Sequence, residues 1–284
     1  MSSSLSGRTV LVTGATSGIG HQTARLLAER GATVLLHGRT AEEAHAAVDR
    51  LVTLSDVPAE RLCVHGADFS RLKEVEQLAA RVMTEHPHLD VLVNNAGMAP
   101  PEQHTVTADG NEIAFQVNFL AHYLLTRLLE PALTSDSGGR VVNVSSALHR
   151  TGSIQWNDPN RTRRYSRLAT YAQSQLTLTV FAADPRITAV SVHPGICATG
   201  LLPLYAHEGV DPDERRRHLA LACVQGLASD IAARGRIASW SCSRDDRSSR
   251  LLAWTAGFRL VREYVHHTTG PVTVSGASKM KAAA

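Results

Sequence analysis

Eight residues near the amino terminus, Thr13-Gly14-Ala15-Thr16-Ser17-Gly18-Ile19-Gly20, have the make-up of a phosphate-binding turn. They follow a short apolar run, Thr9–Val12, and open a segment with helical spacing. Glycines let the backbone turn tightly and approach a pyrophosphate, and the helix N-terminus behind them offers free N–H groups and a positive dipole end. A glycine triplet alone is a weak signal; in a strand–turn–helix setting it is a strong one. The next apolar run ends in His37-Gly38-Arg39. Where an NAD site places Asp or Glu to accept from the ribose 2′-hydroxyl, an arginine stands here, able to pair with a 2′-phosphate. The reading is NADP(H) over NAD(H), with no carboxylate at that point to oppose it.

These residues need a scaffold, and the rest of the pattern supplies one. Strands are predicted at Thr9–Val12, Thr33–His37, Leu62–His65, Val91–Val93, Arg140–Val144 and Ile187–Val192, with a seventh at Gly270–Gly276. Helices are predicted at His21–Arg30, stopping at Gly31, and at Ala41–Leu54, starting near Thr40. Others follow at Leu72–Glu85, Asn111–Leu129 (stopping before Pro131) and Ala169–Ala182. Strands alternating with helices mean βαβ units and a parallel sheet covered on both faces. The expectation is a single α/β domain over residues 1–284, a Rossmann-type doubly wound sheet of about seven strands. Residues 1–205 carry that reading, and 206–284 form a substrate lid and carboxyl-terminal region. Residues 224–268 have no clear period. Ligands of such sheets sit beyond the carboxyl ends of the strands, and each motif falls at such an end.

Bulk properties narrow the function. A length of 284 residues suits one large domain. A net charge of +3, with no basic stripe interleaved with aromatics, gives no support to nucleic-acid binding. Cys63, Cys197, Cys223 and Cys242 lack metal-ligand spacing and read as reduced thiols. No metal site is expected. No apolar run approaches the ~20 residues needed to span a bilayer, and the first residues lack a signal-peptide core. A cytoplasmic location without a membrane partner is expected.

Several further motifs, in order, resemble the short-chain dehydrogenase/reductase family over roughly residues 7–205. Thr13–Gly20 is similar to its TGxxxGxG turn, and Asp68-Phe69 stands where the family holds the adenine ring. Asn94-Asn95-Ala96-Gly97 is similar to its NNAG motif, lining the cofactor cleft. Pro194-Gly195-Ile196 with Thr199 matches the segment that holds the nicotinamide carboxamide and a nearby phosphate. The long connection 147–170 resembles the retinol-dehydrogenase-like and WW-domain-oxidoreductase-like branch. The resemblance implies hydride transfer between a nicotinamide and a carbonyl carbon. Tyr171 would give the proton to the carbonyl oxygen, and Ser146, a better match than Ser145, would orient that oxygen. Asn118 would hold a water of the proton relay.

One departure stands out. Four residues after its tyrosine the family places a lysine, which binds the nicotinamide ribose and lowers the tyrosine pKa. Here that residue is Gln175. Positions 171 and 175 share a helix face, so Gln175 can still reach ribose hydroxyls but supplies no charge. General acid–base steps contribute ~10²–10⁴-fold, so much of the rate is at stake, and oxidation should suffer more than reduction. Of 29 basic residues only Lys73, Lys279 and Lys281 are lysines, so none lies near in sequence to substitute. Arg167, four residues before Tyr171, is a replacement only if the helix starts early. The short span from Tyr171 to Pro194 leaves the helix barely long enough to return the chain to the bottom of the sheet.

Two functions are therefore expected. The first is an NADPH-dependent ketoreductase acting on a ketone or aldehyde, with a polyketide or another secondary metabolite as the expected substrate. The same chemistry reversed would be an alcohol dehydrogenase. The second is a degenerate member that binds NADP(H) with little turnover. A homo-oligomer is left open. His149 and His193 flank the site and read as packing residues.

Overall fold

A computed structural model of the chain describes residues 5–55, 57–134 and 138–194. Six strands form one parallel sheet: β1 (Thr9–Val12), β2 (Thr33–Gly38), β3 (Leu62–Gly66), β4 (Val91–Asn94), β5 (Arg140–Val144) and β6 (Ala189–Val192). Their order is β3-β2-β1-β4-β5-β6. The chain steps outward from β1 to β3, then returns to β4 on the other side of β1. The reversal leaves a crevice at the carboxyl end of β1, where ligands of open α/β sheets bind. The seventh expected strand lies outside the described residues, as do Gly195, Ile196, Thr199 and everything from 206 to 284.

The sheet is apolar on both faces because both are covered. Val10, Val12, Val34, Leu36, Val91, Val93 and Val142 point to one side, against α1 (Gly18–Glu29) and α2 (Ala41–Leu54). Leu11, Leu35, Leu92 and Val141 point to the other, with α3 (Leu72–Glu85) and α5 (Ala121–Leu128). This two-sided burial follows from the period of two along each strand. Thr40 caps α2 by accepting from the Glu43 N–H. Gly31, at φ +99°, ends the turn after α1 as the sequence predicts.

The helix predicted over Asn111–Leu129 is not continuous. A short α4 (Ile113–Phe115) passes into a π turn, Gln116–Leu120, and then into α5. The helix does stop before Pro131, at Leu128, and Pro131 lies at the second position of a separate α6 (Glu130–Thr134). Proline is tolerated there because a first-turn N–H has no intrahelical partner to lose.

The last helix, α7, spans Arg167–Phe181. It starts two residues earlier than predicted, with the Ser166 hydroxyl accepting from the Ala169 N–H. It ends at Phe181, and the chain still reaches the foot of the sheet, where Ala189 pairs opposite Val141.

Candidate active site

The glycine turn is laced to the end of β4. The Thr13 N–H donates to the Val93 carbonyl at 3.0 Å, and the Thr13 hydroxyl accepts from the N–H groups of Asn95 (2.8 Å) and Ala96 (2.9 Å). The Asn95 side-chain amide donates back to the carbonyls of Thr13 (2.8 Å) and Gly14 (3.2 Å). This close lacing explains the glycines. Gly14 has φ +62°, and a Cβ there would stand 2.7 Å from the Ala96 Cα. A Cβ on Gly20 would collide with the Asn95 amide and the Gly14 carbonyl. Gly18 also has positive φ, at +56°. Ser17 occupies the N-cap of α1 without a side-chain capping bond, and the first turn holds no acidic residue. The N–H groups of Gly18, Ile19 and Gly20 are thus presented to an anion, and the turn fits a dinucleotide pyrophosphate.

His37 props this turn from beneath. Its Nδ1 accepts from the Gly14 N–H at 3.2 Å, and its Nε2 donates to the Ala67 carbonyl at 3.0 Å. Burial pushes the ring down to about 4, so it is neutral and keeps that tautomer. Phe69 stacks on it, with centroids 4.5 Å apart, and meets His122 edge-on at 5.3 Å. The Phe69 ring is thereby consumed in packing between two histidines, and an adenine can meet this residue only through its backbone. Asp68 is tied down as well. Its N–H donates to Glu74 and its Oδ1 accepts from the Ser70 N–H.

Arg39 is placed as predicted, beyond the end of β2, but a carboxylate does stand beside it. Glu43, four residues on in the first turn of α2, holds its guanidinium at 2.6 Å. Both side chains are exposed, so the pair is weak and can open. Thr16 lies against Gly38, where a Cβ would meet its methyl at 2.7 Å, and its carbonyl accepts from Arg50 at 2.7 Å.

The residues expected to handle the proton lie at the same end of the sheet. β5 ends at Val144 and delivers Ser145 and Ser146. Ser145 is buried and turned to α7, bonding the Gln175 carbonyl (3.1 Å) and the Thr179 hydroxyl (2.7 Å). Ser146 is half-buried and is engaged only weakly, by the Leu148 N–H at 3.3 Å. This division supports Ser146 as the reactive serine. Tyr171 lies on α7, half-buried. Gly152 passes so close to α7 that a Cβ would stand 2.5 Å from the Ala172 carbonyl, which fixes the segment after Ser146 against the turn carrying Tyr171. Gln173, fully buried, fastens the rest of the connection. It donates to the Pro159 carbonyl (2.7 Å) and accepts from the Gln155 N–H (3.2 Å) and Arg161 Nε (3.1 Å).

Asn118 sits within the π turn, and its side chain is fully committed. Oδ1 accepts from the Met98 N–H at 2.8 Å; Nδ2 donates to the Met98 carbonyl (3.0 Å) and to Ser174 Oγ (3.2 Å). It clamps the loop after β4, with its Oδ1 3.3 Å from where a Gly97 Cβ would be, and joins that loop to α7. Its carbonyl accepts from His122 Nδ1 at 3.1 Å. His122 is buried and neutral, lowered to about 4 by desolvation, so its Nε2 accepts from the Thr13 hydroxyl at 3.1 Å. The Asn118 side chain is therefore occupied by protein partners rather than open to a relay water.

Gln175 is 5 % exposed, and no hydrogen bond to its side-chain amide is found among the described residues. Its amide is not among the buried atoms left unsatisfied, so it has no stranded group, and it fits a side chain that can take a ligand's hydroxyls. Arg167, the candidate replacement for the lysine charge, is engaged with the loop after β4. The helix does start early enough to include it, yet its Nε donates to the Pro100 carbonyl at 2.8 Å. His149 donates from Nδ1 to the Ser146 carbonyl at 2.6 Å and lies 6.2 Å, ring to ring, from His193. Burial lowers His193, with a smaller contribution from the charge of Arg150. Pro194 closes the described part of its motif.

His37 and His122 were not singled out by the sequence reading. The signal was there: each is a polar residue at a position whose periodicity demands burial, next to a motif.

A crevice at the topological switch point, floored by a glycine turn and edged by Ser146, Tyr171 and Asn118, defines a doubly wound dinucleotide-binding fold. The model of the short chain dehydrogenase family matches residues 8–207, and the chain belongs to that family. Within it, the chain falls in the retinol-dehydrogenase-like branch. It is 38% identical to human retinol dehydrogenase 13 over 208 residues, 69% of this chain and 60% of that protein. It is 36% identical to human retinol dehydrogenase 12 over 222 residues, 78% of this chain and 66% of that protein. The chain thus spans less than two thirds of the length of these relatives. Among solved structures it resembles an uncharacterised protein of Mycobacterium paratuberculosis, with TM-score 0.59 and 31% identity, covering 83% of this chain and 97% of that one. It also resembles a metagenomic short-chain oxidoreductase in complex with NADP, with TM-score 0.56 and 28% identity, covering 80% and 92%.

Proposed function

We propose that this chain is an NADP(H)-dependent oxidoreductase that reduces a ketone or aldehyde to an alcohol. The observation that carries the reading is that one end of the sheet holds both the open helix N-terminus behind Gly14–Gly20 and the Ser146–Tyr171 pair. The preference for NADP(H) rests on Arg39 and on the NADP-bound relative. Gly14, Thr16, Ser17, Gly18, Ile19 and Gly20 would hold the pyrophosphate side, Asn95, Ala96 and Gly97 the cleft wall, and Gln175 the ribose hydroxyls. Bound NADP(H) supplies the hydride. The chain's own residues handle the proton: Ser146 fixes the carbonyl oxygen by hydrogen bonding, and Tyr171 gives that oxygen its proton.

Gln175 sets the direction. A neutral amide in place of the family's lysine supplies no ammonium to favour a phenolate, which suits a proton donor and handicaps the base that oxidation needs. The relatives are named retinol dehydrogenases, so an apolar aldehyde or ketone is the substrate class proposed, and a polyketide ketone falls within it. A second reading, a member that binds NADP(H) with little turnover, is favoured by the uncharged Gln175 and by the engagement of Arg167 elsewhere.

Consumption of NADPH with a panel of retinoid, polyketide and simple aromatic carbonyls, by the natural chain and by Gln175→Lys, separates the two. Turnover by the natural chain supports the first reading, with about 10²-fold or more to gain in the variant. Activity only in the variant supports the second. NADPH binding by neither protein would overturn both.

A further inference from the structure

Away from the cofactor crevice, three potential ligand groups converge at the edge strand β3. His65 lies on β3, while Glu85 ends α3 and His86 follows it. One donor atom from each lies within 4.8 Å of the other two. His65 Nε2 stands 4.0 Å from Glu85 Oε2, and the two histidine rings meet nearly edge to face at 6.4 Å. The His65 side chain is almost wholly buried, yet its Nε2 has no hydrogen-bond partner. A buried ring nitrogen left without a partner is costly, and here it is aimed at an exposed carboxylate and a half-exposed imidazole.

We propose that His65, Glu85 and His86 form a binding site for a borderline divalent metal ion of the Zn²⁺ class. Two imidazoles and one carboxylate suit Zn²⁺, Co²⁺, Ni²⁺ or Cu²⁺, whereas Mg²⁺ and Ca²⁺ need an oxygen shell. Ligands about 2.1 Å from a tetrahedral ion lie roughly 3.4 Å apart. Closing the cluster takes a shift of about 1 Å, which the exposed Glu85 side chain and the helix end can supply. Burial lowers His65, which favours the neutral form that ligates. The charges facing His65 are mixed. Glu85 attracts a cation, while Arg81, whose guanidinium donates to the Gly66 carbonyl at 2.8 Å, opposes one. Cys63, two residues before His65 on β3, is pushed up by burial and further by the Glu85 charge, both of which favour the thiol. Among the described residues no fourth protein group joins these three, so water would complete the shell.

A metal here would pin β3 to the end of α3. His65 pairs across the sheet with His37, the ring that supports Gly14, so the pinned edge adjoins the cofactor turn.

Titration of the full chain with Co²⁺, read by visible ligand-field absorption, tests this. The expected result is one Co²⁺ per chain with intense tetrahedral bands, displaced by Zn²⁺ and not by Mg²⁺. Affinity should fall at least about tenfold in Glu85→Gln and in His86→Gln. Both substitutions lie at the surface, and their metal-free melting curves should match the natural chain, while Zn²⁺ should raise the melting temperature of the natural chain alone. The chain has 14 histidines, so bands that persist unchanged in both variants would mean adventitious binding elsewhere and overturn the proposal. Absence of tetrahedral bands would overturn it too, leaving His65 Nε2 to a water.

Discussion

Acid should weaken this fold through two particular rings. His37 and His122 are buried, neutral and lowered to about 4 from an ordinary 6.5. Both accept a hydrogen bond at one nitrogen, from Gly14 and Thr13 respectively, so protonation of either ring removes a support of the cofactor turn. Because the folded value lies below the unfolded one, the unfolded chain binds more protons between those limits. Stability is therefore full above about pH 6.5 and falls as pH drops toward about 4. At about pH 5 the linkage costs about 2 kcal/mol per ring and about 4 kcal/mol for the pair. That is a large share of the 5–15 kcal/mol typical of a folded domain. Urea denaturation from about pH 7 to about pH 5 measures it. His122→Gln keeps an acceptor and a donor but does not titrate, so its loss over that range should be about 2 kcal/mol smaller than that of the natural chain. His21, His65 and His193 are also lowered, and their contributions cancel in the comparison. Equal losses in the two proteins would refute the reasoning.

Other substitutions probe the remaining parts. Arg39→Ala should weaken NADPH binding about 10–100-fold, in line with ~1.5–3 kcal/mol for a charge-assisted bond, and leave NADH nearly unchanged. Glu43→Gln, which frees Arg39 from its 2.6 Å pair, should tighten NADPH binding; both changes are read by fluorescence titration. Gln173→Ala strips three hydrogen bonds from the connection between Ser146 and α7. It should cost about 2–3 kcal/mol by urea denaturation and expose that connection to limited proteolysis.

Local signals made much of this scaffold legible. The limits of β1, α2, α3 and β5 could be read from periodicity and from caps such as Thr40. The π turn could not: it holds Asn118, whose partner Met98 is twenty residues earlier in the chain and meets it only in the fold. The same holds at α7, where a Ser166 cap hidden in an arginine-rich stretch adds the first turn. At the site, the glycine turn, Ser146, Tyr171 and Gln175 announced themselves by type and spacing. The Arg39–Glu43 pair was legible as an i,i+4 relation yet runs against the expectation of an unopposed arginine. Phe69 was expected near adenine and is instead packed between two rings that only the fold brings to it. His65, Glu85 and His86 could not be grouped from sequence, since β3 and the end of α3 meet only in three dimensions.

The central claim is that the glycine turn and Tyr171 serve one reaction. It is tested most directly with NADPH carrying deuterium at its transferable position, an aldehyde acceptor, and the natural chain beside Tyr171→Phe. The account predicts deuterium on the alcohol carbon from the natural chain. In the variant the rate should fall about 10²-fold or more while NADPH binding is retained. Equal rates in the two proteins, or label that never reaches the alcohol from either the natural chain or its Gln175→Lys variant, would contradict it.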